Sequence, residues 1–195
     1  MQVAIIKYNA GNVYSVSFAL KRLGVDAMLT DDKEVLLKAD KIIFPGVGEA
    51  ETTMRYLKRN RLDQLIKDLK QPTLGICLGM QLMCNRSEEG NADCLKIFPV
   101  DVRRFRPTTA EKVPHMGWNT LSRMNGDLFK GLPEEEFVYF VHSFYVPLNE
   151  YTTARTTYIL PFSASLRKDN FYATQFHPEK SGKAGERMLR NFLDL

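Results

Sequence analysis

TLGICLGMQ, residues 73–81, runs a short apolar stretch straight into a cysteine that has glycines two places away on either side, Gly75 and Gly79. TLGI reads as a buried strand, and Cys77 stands where that strand stops. A sharp strand-to-helix turn holds its nucleophile on strained backbone, and small neighbours keep such a turn free of clashes. Set there, the thiol points into a cleft at a helix N-terminus, where free N–H groups favour the thiolate. The N–H of Leu78 is the natural first donor to an oxyanion. The plainer alternative is a buried cysteine after a core strand. Cys84 lies seven positions on among apolar neighbours and suits packing, and Cys94 has no comparable context.

Working outward, the first half alternates apolar runs with helical spacing. VAIIKY (residues 3–8) reads as a strand, and Gly11 and Asn12 open a helix with Val13, Val16, Leu20 and Leu23 on one face, ended by Gly24. DAMLT from Asp26 and KIIF from Lys41 are further strands, and Met54 to Leu69 fits one long amphipathic region before Pro72. Strands alternating with helices predict an α/β fold with a mostly parallel, doubly wound sheet flanked by helices. Ligands bind such sheets beyond the carboxyl ends of the strands. Past Pro99 the runs FVYFVHSFYV, YTTARTTYIL and NFYATQF predict antiparallel strands added to that sheet, and a last helix is expected from about Gly185 to Leu193. No repeat or linker divides the chain, so residues 1–195 are expected to form a single domain.

The net charge of +4 is dispersed, which argues against nucleic acid or an anionic membrane as partner. Three cysteines without a CxxC pair and no apolar leader suit a reducing cytoplasm. No apolar run approaches the roughly 20 residues of a membrane span. The three histidines and three cysteines show no metal-ligand spacing, so no metal is expected.

A thiolate nucleophile needs a base, and His115, His142 and His177 are the histidines available. In QFHPEK, His177 follows a strand-like run, and in an extended segment Glu179 faces the same side and can fix the imidazole's tautomer. A surface turn at Pro178 with a solvated glutamate is the alternative. PGVG, residues 45–48, follows the KIIF strand and belongs at the same sheet edge as Cys77. Its glycines let a ligand approach the main chain and could supply a second oxyanion N–H, although an ordinary turn explains the motif equally well.

Together GICLGMQ, PGVG and HPEKS resemble the class I (triad) glutamine amidotransferases, over essentially the whole chain. PHMGWN (residues 114–119), with PGVG and FVHSF, narrows the resemblance to the branch that serves imidazole glycerol phosphate formation in histidine biosynthesis. The resemblance implies Cys77 as nucleophile, His177 as base and Glu179 as its orienter. L-Glutamine would be held by the backbone of Gly46, Val47 and Gly48, by Gln81 and Glu89, and by the backbone of His142, Ser143 and Phe144, with Leu78 completing the oxyanion site. It further implies no metal and no organic cofactor, and a partner that is the (β/α)8-barrel cyclase subunit of the synthase, reached by ammonia channelling and switching the glutaminase on allosterically. Asn12, Met116, Trp118, Asn119, Tyr139 and Lys180 are the residues expected near that partner. Phe144, where relatives carry tyrosine, and Asn9, where many carry aspartate, depart from the pattern outside the triad. A lone tryptophan is usually core, so Trp118 has two readings, core or docking anchor. Rival functions are a glutaminase serving another synthase, a stand-alone thiol hydrolase, and a catalytically silent docking module.

Overall fold

The computed structural model describes residues 1–8 and 12–195, so Asn9 and Gly11, which entered the reading above, lie outside the described residues. The first half runs β1 (Val3–Ile6), α1 (Val13–Arg22), β2 (Met28–Thr30), α2 (Lys33–Lys38), β3 (Lys41–Phe44), α3 (Ala50–Arg59), α4 (Leu62–Asp68), β4 (Thr73–Ile76) and α5 (Leu78–Leu82). The second half continues with β5 (Arg86–Ser87), β6 (Ala92–Asp93), β7 (Asp101–Arg104), β8 (His115–Leu121), β9 (Glu136–His142), β10 (Phe144–Tyr145), β11 (Thr152–Tyr158), β12 (Leu160–Lys168), β13 (Phe171–Thr174) and α6 (Gly182–Leu193).

A seven-stranded sheet in the order β11-β12-β13-β4-β3-β1-β2 forms the centre, parallel from β13 to β2 and antiparallel at β12 and β11. β1, β3, β4 and β13 are buried along their whole length, as strands covered on both faces must be. Their side chains alternate between two cores. Ala4, Ile6, Ile42 and Phe44 pack with Leu36, Met54, Leu57 and Ile66 of α2 to α4. Val3, Ile5, Ile43 and Leu74 pack with Val16 and Leu20 of α1 and Met188, Leu189 and Phe192 of α6. That period of two against two helical faces is what winds the sheet doubly.

The α/β architecture matches the expectation, with corrections in detail. The Met54–Leu69 region is two helices, broken where Asn60 bonds back to the Tyr56 carbonyl at 2.9 Å and Arg61 turns to φ 54°. α2 was not foreseen; Asp32 caps it, accepting from Glu34 N at 2.8 Å and Val35 N at 3.2 Å. Of the second-half strands, β11 and β12 add antiparallel to the sheet, whereas β13 returns from the turn at Asp169 and Asn170 to run parallel beside β4. FVYFVHSFYV does not extend the sheet at all: its β9 pairs with β8 in a separate hairpin and its β10 joins β7. Among the described residues no helix is long and apolar enough to cross a membrane.

The functional consequence lies in three neighbours. β13, β4 and β3 are adjacent and parallel, and the register sets Thr174 beside Ile76 and Phe44 beside Gly75. Their carboxyl ends are therefore level, and they deliver His177, Cys77 and the PGVG segment to one place.

Candidate active site

Cys77 sits at φ 54°, ψ −108°, a positive-φ conformation costly for a residue with a side chain. Its N–H is held by the Thr174 carbonyl at 2.7 Å, and α5 begins at the next residue. The turn fits because Gly79 is bare: a Cβ there would stand 2.0 Å from the Phe44 carbonyl oxygen. α5 is only five residues long, so the helix dipole expected at the thiol is that of a short helix, and the local N–H groups matter more.

His177 Nδ1 lies 2.7 Å from Glu179 Oε1, with both side chains fully enclosed. The contact does not come from an extended segment as expected. Residues Pro178–Lys180 form a 3-10 turn that folds the carboxylate back onto the ring, and burial rules out the solvated glutamate. The carboxylate can only accept, so Nδ1 carries a proton and Nε2 is the ring nitrogen left to serve the thiol. Nε2 is buried with no hydrogen-bond partner among the described residues. Burial by itself would disfavour the charged ring, but the adjoining Cys77 sulfur and the Glu179 carboxylate more than offset it and push His177 up to about 10. Asn12, expected at the partner face, donates from Nδ2 to Glu179 Oε1 at 2.6 Å.

In front of the sulfur lies a cleft of about 290 Å³ lined by Val47, Gly48, Leu78 and Gln81, with Glu89 at its side and His142, Ser143 and Phe144 opposite. Gly46 lies just behind the wall, where a Cβ would meet Tyr8 Oη at 2.6 Å and Leu78 Cβ at 2.7 Å. The Leu78 N–H, expected to be free, donates to the Gly46 carbonyl at 3.3 Å. Glu89 Oε2 accepts from Ala50 N at 2.8 Å, and partial burial raises its carboxyl above the usual range despite that bond, with Glu49 adding to the rise.

The residues expected near a partner divide. Met116 and Trp118 of β8 are 63% and 57% exposed, which removes the core reading of Trp118. Trp118 meets Tyr139 of β9 edge to face at 6.2 Å, and Lys180 Nζ stands 5.9 Å from the Tyr139 ring. Asn119 turns to bond His115 and the Thr157 carbonyl, and Asn12 serves Glu179.

Two groups at the site went unread in the sequence. Gln175 is fully buried and directs Nε2 at Cys77 Sγ, 3.7 Å away, while its Oε1 accepts from Gln81 Nε2 at 2.9 Å. The signal was present: Gln175 precedes His177 by two, the spacing that puts strand residues on one face. Tyr8, whose hydroxyl donates to the Pro45 carbonyl behind the PGVG turn, gave no such signal. Among the described residues no group of three or more His, Cys, Asp or Glu side chains could hold a metal ion. Cys84 and Cys94 are buried free thiols, Cys84 pushed well up by burial and Cys94 to about 12 by burial and then Asp93.

Residues 4–195 match the model of the glutamine amidotransferase class-I family. The chain is 69% identical to an imidazole glycerol phosphate synthase subunit HisH of Bacteroides fragilis and 70% identical to that of Bacteroides thetaiotaomicron, each over 100% of both chains. It is 45% identical to the HisH of Idiomarina loihiensis over 100% of this chain and 98% of the other. In fold it is similar to a putative GMP synthase component from Thermoplasma acidophilum, with TM-score 0.77 and 24% identity over 100% of this chain and 93% of that one. A level row of strand ends carrying cysteine, histidine and a glycine turn thus sits in a chain alike along its whole length to the HisH proteins: it belongs to the class-I glutamine amidotransferase family, on the HisH branch.

Proposed function

We propose that the chain is the glutaminase subunit of an imidazole glycerol phosphate synthase: a single amidotransferase domain that hydrolyses L-glutamine in a reducing cytoplasm and passes ammonia to a (β/α)8-barrel cyclase subunit. The observation that supports it most is the seat of Cys77, strained at φ 54° and facing the cleft, beside a buried His177–Glu179 pair whose Nε2 has no hydrogen-bond partner among the described residues.

In the mechanism, His177 Nε2 already holds the proton given up by Cys77, and the Sγ thiolate attacks the side-chain amide carbon of glutamine. The tetrahedral oxyanion is met by backbone N–H groups of Leu78 and the PGVG turn. Collapse breaks the C–N bond as His177 protonates the departing nitrogen, leaving a γ-glutamyl thioester and ammonia. His177 then takes a proton from water, which attacks the thioester, and breaking the C–S bond frees glutamate and the thiol. Glu179, steadied by Asn12, holds the imidazole's tautomer and stabilises its charged form. Glu89 accepts from the substrate's α-ammonium group and Gln81 orders the opposite wall. The exposed Met116, Trp118 and Lys180, with the half-buried Tyr139 between them, form the cyclase docking face.

The test is Cys77→Ala assayed with the cyclase subunit. Glutamine-dependent synthesis should vanish while synthesis from free ammonia persists, because only the ammonia source is lost. Glutamine use by that variant would defeat the assignment. A chain able to hydrolyse glutamine fully without any cyclase would point to the stand-alone hydrolase instead.

A further inference from the structure

His115 opens β8 and His142 closes β9, and the antiparallel register sets them opposite one another. Both rings are buried against Phe140 and Phe162. His115 Nδ1 lies 2.9 Å from His142 Nε2, a contact that works only if one nitrogen donates and the other accepts.

The surroundings decide which. His142 Nδ1 is 2.7 Å from the Phe144 carbonyl oxygen, which can only accept, so the proton is on Nδ1 and Nε2 accepts. His115 must then donate from Nδ1 and accept at Nε2. The other end requires the same arrangement independently. Asn119 Oδ1 accepts from Thr120 N at 2.7 Å, which turns its amide nitrogen toward His115 Nε2 at 3.2 Å and the Thr157 carbonyl at 3.1 Å. A second proton on either ring would set donor against donor. Burial disfavours that charge as well, holding His115 down to about 4 and His142 down to about 3.

The Phe144 carbonyl, an acceptor on both sides, joins this pair to the site. The Phe144 carbonyl also accepts from Gln81 Nε2 at 3.1 Å, and Gln81 Nε2 donates to Gln175 Oε1 at 2.9 Å. That bond leaves the Gln175 amide nitrogen facing Cys77 Sγ. A donor on the sulfur stabilises the thiolate that attacks, and a flipped amide would present an oxygen instead.

We propose that Asn119, His115, His142, the Phe144 carbonyl, Gln81 and Gln175 form one hydrogen-bonded chain from strand β8 to the sulfur of Cys77, with donors converging on the Phe144 carbonyl from both sides and His115, next to the outer end, as the positioning residue. The activity arm of this proposal rests on the glutaminase reading above; its tautomer arm does not.

The first measurement is nitrogen-15 NMR of the histidines in the full-length chain at pH 6. Both His115 and His142 should be neutral with the proton on Nδ1; a charged ring, or a proton on Nε2 of either, overturns the chain. The second compares His115→Asn, whose amide can keep a donor near the Nδ1 position, with His115→Phe, which keeps only the ring, both assayed with the cyclase subunit. His115→Phe should lower kcat for glutamine about ten-fold with KM within about three-fold, and His115→Asn should recover most of that loss. Unchanged kcat in His115→Phe, or equal losses in both variants that follow their melting temperatures, overturns the positioning role. If neither variant folds, the tautomer measurement on the unaltered chain still decides. Glutamine use by Cys77→Ala would sink the glutaminase reading while leaving the tautomers as found.

Discussion

The Leu78 N–H donates to the Gly46 carbonyl at 3.3 Å, so the first oxyanion donor is occupied by the turn expected to supply the second. A transition-state oxyanion must displace that carbonyl, and rotating a peptide unit of the PGVG turn would both free Leu78 and bring a new N–H forward. One missing donor costs about 3–4 kcal/mol, or roughly 10²–10³ in rate, so this turn can supply much of an on-switch. Gly48 sits at φ 136°, and a Cβ there would meet only Leu78 Cδ2 at 4.0 Å, which makes a side chain there chiefly a conformational penalty rather than a clash. Gly48→Val should therefore change the ratio of cyclase-stimulated to basal glutaminase activity more than it changes glutamine affinity. Gly46→Ala, which would drive a methyl against Tyr8, Leu78 and Gly79, should instead destabilise the fold. An unchanged ratio in Gly48→Val rules the turn out as the switch.

Asn12 gives a second test, because it bonds Glu179 and does not line the cleft in front of Cys77. Glu179 Oε1 accepts from both Asn12 and His177, while Oε2 is buried with no partner among the described residues. Removing a donor from a buried carboxylate costs about 1.5–3 kcal/mol. Asn12→Ala should lower kcat at least about ten-fold with little change in KM, and a purely docking role would instead weaken cyclase binding at unchanged saturated kcat.

How far the site was legible follows from what holds each part. TLGIC, PGVG and the run before His177 could be placed because strands buried on both faces must be continuously apolar, and because Gly79 has a carbonyl 2.0 Å from where its Cβ would lie. α2 escaped notice because its six residues bury one apolar side chain, Leu36. The FVYFVHSFYV run was assigned to the wrong sheet because alternation tells which residues face inward, not which strand lies alongside. Asn12 and Glu179 are 167 positions apart, and nothing local in either segment signals their contact.

The two buried histidines set a pH dependence of stability. Both are depressed in the folded chain, chiefly by burial, His115 to about 4 and His142 to about 3. The unfolded chain takes up these protons near pH 6.5, so below that pH it binds more protons than the folded one and stability falls as pH falls. Each histidine contributes up to about 1.4 kcal/mol per pH unit between about 6.5 and its folded value. His177 is raised, so it is protonated in both states below 6.5 and adds no slope there; its contribution is lost only as pH rises toward about 10. Urea unfolding at pH 7, 6 and 5 should show the decline, and His115→Asn should remove about half of it. A flat profile across that range contradicts neutral buried rings.

Trp118 separates docking from folding most cleanly. It is 57% exposed, and its neighbours on that face are Tyr139 and, through Tyr139, Lys180. An exposed side chain of this kind has little to contribute to the free chain, so Trp118→Ala should leave its unfolding free energy within about 0.5 kcal/mol. A large aromatic surface is instead the kind of group that anchors an interface, where truncation costs on the order of 2 kcal/mol, or roughly 30-fold in affinity. The face is also wired to the site: the His177 N–H donates to the Tyr139 carbonyl at 2.9 Å, and Tyr139 N donates to Ser181 Oγ at 3.0 Å. On the proposed reading that the cyclase docks on this face and stimulates the glutaminase, the same variant should lower that stimulation even at saturating cyclase, because Trp118 is the cross-strand partner of Tyr139. Melting of the free chain beside titration with the cyclase subunit tests both halves. Unchanged affinity with a large loss of stability would return Trp118 to the fold, and weakened affinity with full stimulation at saturation would confine it to docking alone.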